Sequence, residues 1–250
     1  MRSALRVVLV CATACALPGA ASAQARGETG RGYVGAAIGA LLTTSTSSAP
    51  LTLPAYGESG RLDMQASWPA GATVEIDGGV RLWRDFGVAL SVTRGRRQGE
   101  STLSGPIPHP YFFNQPRTLD ASGGALTRTE TAMHVGLMWR HPLTRRLAVA
   151  AVVGPSMVAI RQDVIDGVVW SETYPYTSVQ LSRATITRRD RSTAGVHAAG
   201  DLVVRLARHL GVTGGVRYCH ATVVLESAPG QQIKADVSGL VVRGGARWLF

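Results

Sequence analysis

Apolar and polar residues alternate with a period of two along much of this chain, the spacing at which successive side chains of an extended backbone point to opposite sides. Val74, Ile76, Gly78, Val80 and Leu82 share one face, and Thr73, Glu75, Asp77, Gly79 and Arg81 the other. The same split sets apart Phe86, Val88, Leu90 and Val92, then Met133, Val135, Leu137 and Trp139. Further on, Val196, Ala198, Leu202, Val204 and Leu206 oppose His197, Asp201 and Arg205. Eight strands are predicted, at about 31–42, 71–83, 86–97, 127–140, 146–160, 192–206, 210–223 and 237–250. Each is long enough to cross a bilayer as a tilted strand, which takes about 9–11 residues.

The connections alternate long and short. Short turns fall at Arg84-Asp85, around His141 to Arg145 and at Ala207 to His209, and long segments at about 43–70, 98–126, 161–191 and 224–236. An even strand count with sorted loops predicts an all-β fold, a closed antiparallel up-and-down transmembrane β-barrel of eight strands with every long loop on one side. An open sheet would leave unpaired backbone groups in hydrocarbon. Leu62, Met64, Ala66 and Trp68 also alternate, against Arg61, Asp63, Gln65 and Ser67. They read either as a further strand, which with one more would make ten, or as an extension of the second strand above the membrane beyond Pro69 to Gly71. The loop sorting favours the extension. Asp166-Gly167, between Val164-Ile165 and Val168-Val169-Trp170, predicts a hairpin turn where the third long loop begins.

At the amino end, Arg2 and Arg6 precede an apolar run from Val7 to Leu17, then Pro18-Gly19 and Ala21-Ser22-Ala23. This predicts a cleaved secretory signal at 1–23 and a barrel domain at 24–250. The run is shorter than the roughly 20 residues of a spanning helix. Lipidation at Cys11 or Cys15 fits poorly, since Val10 is large for the residue before Cys11 and Ala12 is a weak match three before Cys15. Cys219 is then the one mature cysteine, so no internal disulfide is expected, and its parity makes it a small lumen filler.

Hydrophobic content of 45% with 17% charged residues would also suit a soluble protein, so the export signal decides the setting. The net charge of +10 rests almost wholly on arginine, Lys234 being the only lysine. Arginine grips phosphate oxygens with two parallel hydrogen bonds, which suits anionic lipid headgroups and lipopolysaccharide. No nucleic-acid recognition motif accompanies the charge.

The last strand sets Leu240, Val242, Gly244, Ala246, Trp248 and Phe250 against Val241, Arg243, Gly245, Arg247 and Leu249. Its Trp248 and Phe250 resemble the C-terminal signature read by the barrel-assembly machinery. With the signal, the strand pattern and the sorted loops, the chain resembles the small outer-membrane β-barrels of the OmpA-transmembrane-domain and OmpX type over almost all of its mature length. The resemblance implies a monomer in the bacterial outer membrane, without a cofactor. It also implies contact with outer-membrane lipid, lipopolysaccharide and an extracellular ligand or protein, and a role in envelope integrity, adhesion or narrow conduction. The chain ends where the barrel ends, so the cell-wall tether of full-length OmpA proteins is not implied.

Strand parity points Glu75, Asp77, Arg81, Glu130, His134, Arg140, His197, Asp201, Arg205, Arg217, Arg243 and Arg247 into the lumen. An eight-stranded barrel is just wide enough for side chains to fill, so these charges are expected to pair. The alternative is a narrow channel whose arginine excess favours anions. The six histidines show neither metal spacing nor a nearby Ser and carboxylate, and no catalytic, metal or cofactor residue is nominated. His134 and His197 are the two to watch, and a lipid-modifying enzyme is the third reading. In the long loops, Tyr111, Phe112, Phe113, Arg117, Tyr174 and Tyr176 are candidate contact residues. Their aromatic rings either pack on one another across the barrel mouth or meet a ligand. The function expected is envelope integrity or surface interaction around a largely plugged lumen.

Overall fold

The computed structural model describes residues 31–228 and 231–250, so the predicted signal at 1–23 lies outside the described residues. Its strands are β1 (Gly32–Leu41), β2 (Ser45–Ala55), β3 (Glu58–Trp68), β4 (Gly71–Trp83), β5 (Phe86–Ile107) and β6 (Arg117–Pro142), followed by β7 (Leu147–Glu172), β8 (Val179–Arg205), β9 (Leu210–His220), β10 (Thr222–Ala228), β11 (Gln231–Asp236) and β12 (Gly239–Leu249). Eight of them, β1, β4, β5, β6, β7, β8, β9 and β12, form a ring in which each is hydrogen-bonded antiparallel to two others. Leu41↔Val241 at one end of the β1–β12 pair and Tyr33↔Leu249 at the other close the circle. The eight-stranded expectation holds, and the ten-stranded alternative does not, because β2 and β3 stand outside the ring.

Apolar residues cover the outside of the ring. Ile38 is 73% exposed and Ile76 67%, an arrangement that hydrocarbon tolerates and water does not. Trp83, Phe86, Trp139, Trp248 and Phe250 gather near the short turns, a girdle of the kind that sits at a membrane interface. Among the described residues no helix is long and apolar enough to cross a membrane.

The predicted long loops are largely strand. β5 to β8 run 22, 26, 26 and 27 residues, well beyond the outward apolar band. There the apolar face inverts: Leu103, Leu126, Val158, Ile160 and Val164 point inward and are buried together with Met64 and Trp68. The β2–β3 hairpin turns at Tyr56-Gly57, both at positive φ (53° and 80°), the conformation that two-residue hairpin loops require. Asp63–Ser67 of β3 pairs with Glu100–Ser104 of β5, directly beyond the stretch where β4 pairs with the same strand. The alternating stretch around Leu62 is therefore an extension of the second membrane strand, as the loop sorting favoured, folded back on its own partner β2.

Asp166-Gly167 is not a turn. β7 continues through it to Glu172 and the chain reverses over 173–178. The two residues instead form a bulge, with the register against β8 shifting between Ile165 and Gly167. The bulge lets both Val164 and Ile165 face the outer core, and that burial outweighs the turn propensity of the dipeptide.

Candidate functional site

Across the middle of the lumen runs a chain of alternating charges. Arg217 donates to both oxygens of Glu75 at 2.9 Å, and Arg243 donates to Glu75 as well. Arg243 also reaches Asp201 at 2.7 Å, Arg247 donates to the other Asp201 oxygen at 2.7 Å, and Arg247 ends on Asp77 at 2.6 Å. Three carboxylates thus meet three guanidinium groups, in the order Arg217, Glu75, Arg243, Asp201, Arg247, Asp77. All six are buried, and equal numbers of opposite charges with two-point contacts are the arrangement in which burial of ions is tolerated. Arg217 donates to Thr93 Oγ1 at 3.0 Å, and the Arg247 guanidinium lies 4.3 Å from the ring centre of Tyr33, which uses its remaining faces.

Glycine makes these crossings possible. Asp77 on β4 and Arg247 on β12 both register with Gly35 of the strand between them. A Cβ at Gly35 would lie 2.6 Å from Asp77 Oδ1 and 2.7 Å from Arg247 Cγ. Likewise Asp201 and Arg243 both register with Gly215, where a Cβ would run into the Asp201 carboxylate. Each ion pair spans a strand that has no side chain to obstruct it.

Further toward the long-loop end sits a second cluster. Arg97 and Arg128 both bind Glu130, Arg128 at 2.6 Å, and Arg128 also donates to Ser45 Oγ at 2.9 Å and covers the ring of Trp68 at 5.3 Å. Between the two ionic layers lies a cavity of about 60 Å³ touched by Glu75, Arg97, Glu130 and Arg217. His134 and His197 meet through Ser156, whose Oγ is 2.8 Å from one Nδ1 and 3.0 Å from the other. Cys219 is half-buried, a free thiol beside the same cavity.

Arg140 and Arg205 make no ion pair with the central chain among the described residues, and Arg81 lies near the β4–β5 turn. Toward the short turns Arg140 and Arg205 line a small recess with Arg145 and Arg146. Arg97, Arg128, Thr93, Ser156 and Tyr33 complete the lumen but were not singled out from sequence. Strand parity could have found them, since each shares the inward face of a predicted strand.

At the far end the loops are tied together. Arg117 donates to Glu172 at 2.6 Å, to the Pro108 carbonyl at 2.8 Å and to the Tyr176 carbonyl at 3.1 Å. It is buried, so it is an internal strut and not a contact residue as its loop position suggested. Tyr111 and Tyr176 stand 5.3 Å apart and Tyr174 packs edge-on against Tyr176 at 6.0 Å. A hydrogen bond with Tyr111 raises the Tyr176 phenol above its ordinary pKa. Even so, Tyr111 is 71% exposed, Phe113 72% and Tyr174 82%, so self-packing leaves most of this aromatic surface open.

No protein-family model and no curated protein sequence matches this chain. Among solved structures it is similar to the outer membrane protein OprG from Pseudomonas aeruginosa, at 12% identity and a TM-score of 0.55, over 89% of this chain and 97% of that one. Weaker likenesses are to Neisserial surface protein A, at 12% identity, a TM-score of 0.44 and coverage of 89% and 99%. The outer membrane protease OmpT from Escherichia coli follows at 8% identity, 0.45, and 92% and 99%. A ring of eight antiparallel strands, apolar outside and polar within, and matched along its length by OprG, gives this chain the fold of a small outer-membrane β-barrel.

Proposed function

We propose that this chain is a monomeric barrel of the bacterial outer membrane that does not conduct, and that it works through its extracellular end, in surface interaction and envelope integrity. The observation that carries this reading is the charge chain from Arg217 to Asp77, which fills the lumen where a solute would have to pass. With passage blocked, the work falls to the exterior. There the open rings of Tyr111, Phe113 and Tyr174 stand on the loops above strands that Arg117 and Glu172 brace. Rings presented on a braced scaffold bind with little ordering cost. A triple substitution of Tyr111, Phe113 and Tyr174 to Ser in cells displaying the barrel is expected to lower attachment to host-cell and hydrocarbon surfaces several-fold, at equal surface level. Unchanged attachment would sink the surface role.

A narrow anion channel is the second reading, favoured by Arg140 and Arg205, which make no ion pair among the described residues at the short-turn mouth. It requires the central ion pairs to part. An enzymatic reading finds its nearest geometry at Ser156, which lies in the lumen between two imidazoles. Neither imidazole bonds a carboxylate among the described residues.

A further inference from the structure

Where the outward apolar band ends on β5 to β8, the wall turns basic. On β5 the outward series Phe86, Val88, Leu90 and Val92 is followed by Arg94 and Arg96, both exposed. Arg94 registers with Thr131 of β6, and Arg96 with Thr129, which in turn registers with Arg161 of β7. Arg161 registers with Asp190 of β8, and these residues share a shallow groove of about 780 Å³ on the outer wall. Arg161 is held by Asp190 at 3.1 Å and Arg188 by Asp163 at 3.0 Å, which fixes their guanidinium groups in place. Arg94 and Arg96 make no hydrogen bond or ion pair among the described residues. The lining holds five arginines, Arg191 among them, and one aspartate, Asp190, with Asp163 reaching it only through Arg188, so the groove carries an unbalanced positive charge.

Along this long-loop boundary the exposed arginines lie on β5, β7 and β8, while those at the other end, such as Arg84, Arg145 and Arg208, sit in or beside the short turns. At the same boundary β9 presents His220 and β4 Ala72, and Ser238 stands just before β12. At the opposite boundary the ring presents Trp83, Trp139 and Trp248. A basic edge carried by β5, β7 and β8, with threonines of β6 between, lies just beyond Val92, Met133 and Met157 and matches a molecule with acyl chains below and anionic groups above.

We propose that this groove binds the phosphate-bearing headgroup of a glycolipid in the outer leaflet, with Arg94 and Arg96 as its primary phosphate ligands. The two free guanidinium groups each offer a planar fork to phosphate oxygens, and the neighbouring threonine hydroxyls add short-range donors. The paired Arg161 and Arg188 keep the site open and positive. Acyl chains lie along the apolar rows beneath. This inference rests on residence in the outer membrane.

The test is native mass spectrometry of the refolded chain in neutral detergent, titrated with diphosphoryl lipid A, with its dephosphorylated form and with inorganic phosphate. The diphosphoryl form is expected to bind, and Arg94→Gln with Arg96→Gln to weaken that binding about tenfold, as loss of charge-assisted hydrogen bonds would. Arg145→Gln, at a short turn, should leave it unchanged. Equal binding of the dephosphorylated form, or no effect of the double substitution in a barrel that still shows heat-modifiable migration, overturns the site. Displacement of the lipid by inorganic phosphate at equal concentration overturns the lipid assignment. Fractionation of cells reports separately on residence: absence from the outer membrane would remove that premise whatever the micelle titration shows.

Discussion

Asp201 accepts hydrogen bonds from Arg243 and Arg247 through different oxygens, so one carboxylate holds two buried guanidinium groups. Removing its charge leaves three buried guanidinium groups facing two carboxylates, Glu75 and Asp77. Asp201→Asn is expected to destabilise the barrel by about 3–5 kcal/mol, the cost of leaving a buried ion uncompensated. Urea unfolding in micelles measures this, and a loss below about 1 kcal/mol would show that the layer is not held by pairing. At this scale the sequence was half legible. Parity alone pointed Glu75, Asp77, Asp201, Arg217, Arg243 and Arg247 inward. Which would meet was hidden, because the pair Glu75 and Arg217 is separated by 142 positions and Asp77 and Arg247 by 170, so only ring closure brings them together. Gly35 and Gly215 look like ordinary strand glycines until the pairs that cross them are known.

At the scale of elements, the membrane-crossing parts of the strands were legible because every outward position is apolar there. Their continuations were not. Beyond Val92 on β5 the outward residues become charged while Leu103 turns inward, so the period of two persists with its faces exchanged. A search for outward apolar residues stops at that exchange. The Tyr56-Gly57 turn was a usable signal for β2 and β3, weaker than Asn-Gly but read the same way. The extension depends on its own apolar core, in which Leu51, Leu62, Ile107 and Leu119 are buried together. Leu62→Ala should therefore loosen the β2–β3 hairpin by about 2–4 kcal/mol. Trypsin should then cut sooner at the exposed Arg61, while heat-modifiable migration of the ring is kept. Loss of both together would mean that the extension and the ring fold as one unit.

For the whole molecule, the outside and inside of the ring answer different solvents. Hydrocarbon selects the apolar band, the narrow lumen forces charges to pair, and water beyond the membrane lets the apolar face turn inward. The lumen is layered: an apolar floor around Tyr33, Met138 and Leu249, the central charge chain, a cavity of about 60 Å³, and the cluster of Arg97, Arg128 and Glu130. On the proposed reading this central chain closes the lumen. The direct test is conductance of the refolded chain in a planar bilayer under a salt gradient, with Arg243→Ala and Arg247→Ala measured beside it. A folded barrel that stays electrically silent is the result predicted. Discrete steps with anion preference, altered by those two substitutions, would contradict the closed lumen and make the chain a channel.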